Sequence, residues 1–207
     1  MNHERTADRL AGAALMSAAA ASAFTMAHHP SGAHGGALSQ IVHGAMIGLL
    51  ALQTFGFGHF AVRRGLSRPA ILAGLVAFAI SLFGHVGAAT INGFVVPAIA
   101  ARGSGAVSHD IFLFAWESNQ ALARLGVFAT GAAFALWSLD FLRREGLFPR
   151  AIGLLGLAAG IMPAALLAAG AIRMNVSGAF LAYAIHGAWA ALVGLWLIRD
   201  GAEATTD

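Results

Sequence analysis

Residues 70–100, AILAGLVAFAISLFGHVGAATINGFVVPAIA, contain no Asp, Glu, Lys or Arg. A hydrocarbon layer about 30 Å thick needs about 20 apolar residues per helical crossing, so this stretch predicts a transmembrane helix with length to spare. Working outward, comparable stretches predict further crossings over 10–28, 37–61, 110–141, 151–172 and 177–198. The fold class that follows is all-α: a polytopic membrane helix bundle of six transmembrane helices in a single domain, 1–207. Composition agrees. Mean hydropathy is +0.75 and charged residues make up 10%, whereas a soluble domain carries about 25%. The tails and loops are too short to fold alone, so any ligand site must lie among the helices or at their mouths.

The sequence pI of about 11.0 suggests nucleic acid, but the distribution of charge argues against it. Every basic residue is arginine. Arg5, Arg9, Arg63, Arg64, Arg68, Arg143, Arg144, Arg150 and Arg199 fall in segments on one side of the six crossings, and only Arg102 and Arg173 on the other. By the positive-inside rule this places both termini in the cytoplasm. The basic charge is a topology signal, so no nucleic-acid partner is expected and the lipid bilayer is. The absence of cysteine removes disulfides, thiolate metal sites and thiol redox chemistry.

The first apolar stretch has a second reading. Residues 10–23 can be the hydrophobic region of a secretory signal, with Ala21-Ser22-Ala23 as the cleavage motif. Glu4 and Asp8 cancel Arg5 and Arg9 there, so the positive charge usual ahead of such a region is missing.

Punctuation fits the crossings. Pro69 and Pro149 open the third and fifth helices, where a missing N–H is harmless. Pro163 lies inside the fifth and is expected to kink it, freeing a carbonyl that a neighbour must satisfy. Small-residue pairs, Gly44 with Gly48 and Gly156 with Gly160, predict close helix packing and admit a homo-oligomer. The four tryptophans need no function, and three of them fall near expected interfaces. The two arginine-rich junctions, Arg63–Leu75 and Arg143–Leu155, can be laid over one another as a repeat, although positive-inside charge followed by a proline start produces the same pattern.

Ionisable residues within a membrane helix cost at least ~2.5–3.5 kcal/mol each, so they normally face a cavity or a partner. Asp110, Glu117 and Arg124 recur every seven residues with Gln120 among them, predicting one polar face with Glu117 and Arg124 as a charge pair. His28, His29, His34, His43, His85, His109 and His186 all fall in the half of the bundle away from the arginines. Neutral imidazole is both a metal ligand and a proton carrier. The expected site is therefore an outer-half pocket lined by helices two, three, four and six. Glu117, Arg124, Gln120 and Asn92 would bind ligand there, and His43, His85, His186, His28, His29 and His109 are candidate metal ligands. Copper or iron would suit the mouth histidines with Met26 and Met174, and haem would need two histidines facing one another at similar depth. No familiar metal-ligand spacing is present.

The segment Phe148–Gly156, after Arg143-Arg144, resembles part of uncharacterised bacterial multi-pass integral membrane proteins grouped only as domains of unknown function. The resemblance implies the bacterial inner membrane and supplies no catalytic residues. Three functions stand: a pocket binding a small ligand or a metal or haem cofactor, a proton-coupled small-molecule transporter with Glu117 as coupling carboxylate, or a structural subunit of a larger membrane complex.

Overall fold

A computed structural model describes residues 2–29, 36–102 and 108–203. Among these every regular element is a helix, and six helices are long and apolar enough to cross a membrane. They are α1 (Asn2–Ala27), α2 (Gly36–Arg64), α3 (Pro69–Ala100), α4 (His109–Leu142), α5 (Leu147–Ala168) and α6 (Val176–Glu203). An even number of crossings puts both chain ends on one side, together with the Arg63–Pro69 and Arg143–Pro149 junctions. That side is the arginine-rich end of the bundle; the far end carries the loops after α1, α3 and α5. His34 lies outside the described residues.

α1 begins two turns earlier than the hydropathy suggested. The extension places Asp8 in the bundle, 1% exposed, where Oδ1 accepts from His59 Nε2 at 2.7 Å and Oδ2 pairs with Arg63 at 3.3 Å. Leu15 packs against Gly56, and Gly12 touches the backbone of Gly194 on α6. α1 is thus packed into the core of the bundle.

α5 also starts and ends earlier than expected. Gly146, at φ 94, turns the chain into its first turn, much as Gly65 at φ 92 precedes α3. At its other end Gly170 adopts φ 69. Gly170 N–H donates to the Leu167 carbonyl and Ala171 N–H to that of Leu166, the paired bonds of a Schellman stop. This ends α5 at Ala168 instead of 172.

Packing follows the small residues unevenly. A Cβ at Gly160 would meet the Gly131 backbone across α4 and α5, and one at Gly156 would meet Ser138 and Trp189. The α2 pair behaves otherwise: Gly48 has nothing within 4 Å. The tryptophans depart from the interface expectation. Trp137 lies over Gly74 and donates to the Ile71 carbonyl at 3.1 Å, and Trp189 lies over Gly156 and donates to that of Ile152 at 2.9 Å. Each glycine leaves room for an indole, and each indole N–H finds a carbonyl, so both rings are buried deep in the core. With Phe57, Phe60, Phe78, Phe134, Phe141 and Trp196 they form a continuous aromatic stack that seals the arginine-rich half.

Candidate functional site

Above that aromatic floor the bundle is open. A cavity of about 610 Å³ occupies its far half, lined by α1, α2, α3, α4 and α6. α1 joins the four expected helices, and α5 contributes nothing. On α2 the lining residues Ser39, His43, Met46, Leu50 and Gln53 follow the three-and-four spacing of one helical face. Phe57 then closes the stripe. Along α3 the lining runs from Phe78 to Asn92 and beyond, a depth of about 21 Å at 1.5 Å per residue.

The polar groups form two tiers. At the mouth, His43 donates from Nδ1 to the Ser39 carbonyl at 2.8 Å. A carbonyl can only accept, so His43 Nε2 carries the lone pair of the neutral ring. His29 Nε2 lies 3.2 Å from it and is the donor of that contact. Ser39 Oγ donates in turn to the Asn92 carbonyl at 3.1 Å. That carbonyl is free for a backbone reason: Ile91–Val95 adopts π register, with Val96 N–H reaching Ile91, and the next donor in register would be Pro97, which has none.

About 11 Å deeper, reckoned along α3, His85 sits between two hydroxyls. Tyr183 Oη is 3.3 Å from Nδ1 and Thr130 Oγ1 3.2 Å from Nε2, so one hydroxyl accepts from the ring and the other donates to it. Gly126 allows this approach, since a Cβ there would overlap the imidazole. His186, 6% exposed, sits beside the Ala159 carbonyl. That carbonyl stands four residues before Pro163 and has lost its helical donor, so the expected kink leaves a freed group facing a histidine from α6. Nε2 of His186 is buried and has no hydrogen-bond partner among the described residues. Asn119, unremarked in the sequence, donates to the Ala88 carbonyl at 2.8 Å, and Gln120 to that of Met174 at 3.0 Å.

Several expectations fail. Glu117 and Arg124 are both exposed and form no ion pair; Glu117 neither lines the cavity nor meets a histidine. The reason is spacing and direction: seven residues separate the two by about 10.5 Å along α4, too far for a direct pair, and both side chains face away from the cavity. His28 is exposed, bonded to the Phe24 carbonyl at 2.8 Å and packed on the Phe24 ring, outside the cavity. His29, His43, His85, His109, His186 and Asn92 do converge on the cavity, but at two depths instead of one. Among the described residues no group of three or more His, Cys, Asp or Glu is gathered to hold a metal ion, and no carboxylate or arginine lines the cavity.

The structure also reveals a second buried carboxylate at the arginine-rich end. Asp140 accepts from Arg64 Nε at 2.6 Å and from Arg68 Nη1 at 2.7 Å, while Arg64 and Arg144 both lie over the Trp196 ring. Topology alone offered the clue, since Asp140 ends α4 on the side where those arginines cluster. No family model matches the chain, nor does any curated protein or solved structure.

Proposed function

We propose that this chain is a multi-pass protein of the bacterial inner membrane, both termini cytoplasmic, that takes an uncharged, largely apolar small molecule from the outer face into its half-bundle cavity. The observation that carries this reading is the cavity itself, apolar-walled, sealed beneath by aromatics and supplied with converging imidazole, amide and hydroxyl groups. About 610 Å³ falls within the roughly 300–1,000 Å³ typical of small-molecule sites. The lining has no fixed charge, so an ionised group on the buried part of a ligand would be uncompensated. The same lack of a carboxylate weighs against proton-coupled transport, because Glu117 stands outside.

Native mass spectrometry of protein extracted in mild detergent tests the proposal, beside Ala179→Trp, which fills the cavity wall. Wild type should carry an organic adduct that the variant loses while keeping its melting behaviour. A bare mass for both, or an adduct held equally by both, would refute it.

A further inference from the structure

The cavity mouth holds two imidazoles that meet nitrogen to nitrogen, and we infer that His29 and His43, with a methionine thioether from the same wall, form a binding site for monovalent copper. This inference rests on the cavity being a binding site, but concerns a different ligand and a different depth from the apolar molecule proposed above.

The geometry points to a metal in three ways. First, His43 is prepared as a ligand: its Nδ1–H is held by the Ser39 carbonyl at 2.8 Å, fixing the ring and leaving Nε2 as the base, the outer-shell bond that metal-ligating histidines almost always make. Second, the two Nε2 atoms are 3.2 Å apart. Two metal–nitrogen bonds of about 2.0 Å spanning that distance subtend about 105°, a bent arrangement that leaves room for another donor. Third, the donors at hand are thioethers. Met26 lies one turn before His29, and Met46 lies three residues after His43 on the same face of α2; both line the cavity.

The donor set selects the ion. Zinc sites close around four ligands that commonly include thiolate or carboxylate, and here the cysteines are absent and no carboxylate lines the cavity. Thioether with imidazole suits Cu(I), which accepts two or three neutral ligands. The low charge matters as well, because the cost of desolvating an ion rises with the square of its charge. Binding needs no redox step and releases no proton: Cu(I) takes the place of the hydrogen bond between the rings, the His29 proton moves from Nε2 to Nδ1, and both imidazoles remain neutral.

The full chain in detergent, kept anaerobic with ascorbate, is titrated with Cu(I) against the chromophoric chelator bicinchoninate. Wild type should hold one Cu(I) per chain. His29→Gln and His43→Gln should each weaken it by more than the ~10–100-fold attached to outer-shell partners, and Met26→Leu or Met46→Leu should weaken Cu(I) while leaving Zn(II) unchanged. His186→Gln should leave Cu(I) binding as it is. Equal copper retention by wild type and the His29→Gln, His43→Gln double variant would overturn the inference, and so would Zn(II) held more tightly than Cu(I). If His43→Gln fails to fold, His29→Gln decides, since that ring lies beyond the end of α1. A variant that loses copper but keeps its organic adduct separates this inference from the function proposed above.

Discussion

Replacing Asp140 with Asn keeps the side-chain volume and removes the charge that joins α2, the α2–α3 turn and α4. The two arginine contacts are unequal. The Arg68 side chain is 56% exposed, and an exposed ion pair contributes about 0–1 kcal/mol. Arg64 and Asp140 are 9% and 7% exposed, and truncating one member of a buried pair costs about 3–5 kcal/mol because the other charge stays behind uncompensated. Arg64 would then face Arg68 and Arg144 with only the Trp196 ring to moderate its charge. Asp140→Asn should therefore destabilise by about 3–5 kcal/mol and Arg68→Ala by no more than about 1. Reversible unfolding in mixed micelles measures both. A double variant, Arg64→Met with Asp140→Leu, should recover most of the loss, since apolar replacement of a whole buried pair is often neutral. Asp140→Asn within 1 kcal/mol of wild type, or no different from Arg68→Ala, would refute the assignment of the strength to the buried contact.

Gly84→Ala should destabilise markedly, because its Cβ would stand 2.6 Å from the Gly126 nitrogen and 2.7 Å from the Leu122 carbonyl oxygen, both backbone atoms; Gly48→Ala, with open space around it, should not, and melting the two in one detergent compares them. Arg124→Ala and Glu117→Gln should each leave the melting temperature close to wild type, since neither side chain has a partner to lose among the described residues; a drop as large as that of Asp140→Asn would contradict their exposed placement. A reporter fused after Asp207 that is active only outside the cytoplasm should stay silent, as the arginine distribution requires, and activity there would reverse the orientation.

The crossings were legible because hydropathy is a local property, and the helix ends shifted where it was not the deciding term. Asp8 looked like a charge that ends an apolar run, yet it lies inside the bundle because His59 and Arg63, more than fifty residues away, receive it. Glu117 and Arg124 shared a face as their spacing required. What spacing could not give was where that face points, and it points away from the cavity. The histidines were likewise placed in the correct half by chain order alone, whereas their convergence needed helix rotation, which is set by contacts such as Gly84 on Gly126 and Gly131 on Gly160. Such contacts depend on two helices at once and leave no pattern in either.

The cavity is a built feature of the bundle, and the evidence lies in its backbone. Two prolines, Pro97 and Pro163, each remove a donor from a helix, and in each case the carbonyl so freed faces a cavity-lining side chain: Ser39 donates to Asn92, and the His186 ring lies beside Ala159. A void left by imperfect packing would be expected to have apolar walls and intact helices behind them. Here helix defects meet the polar groups: Ser39 is fixed against α3 and in turn lies beside His43, and His186 lies against α5 with Nε2 unpartnered. Pairing His186 Nε2 with an internal group would satisfy the fold more fully, and no neighbouring side chain among the described residues supplies one. A buried polar atom without a partner costs about 1–3 kcal/mol, and the bundle carries that cost beside the cavity.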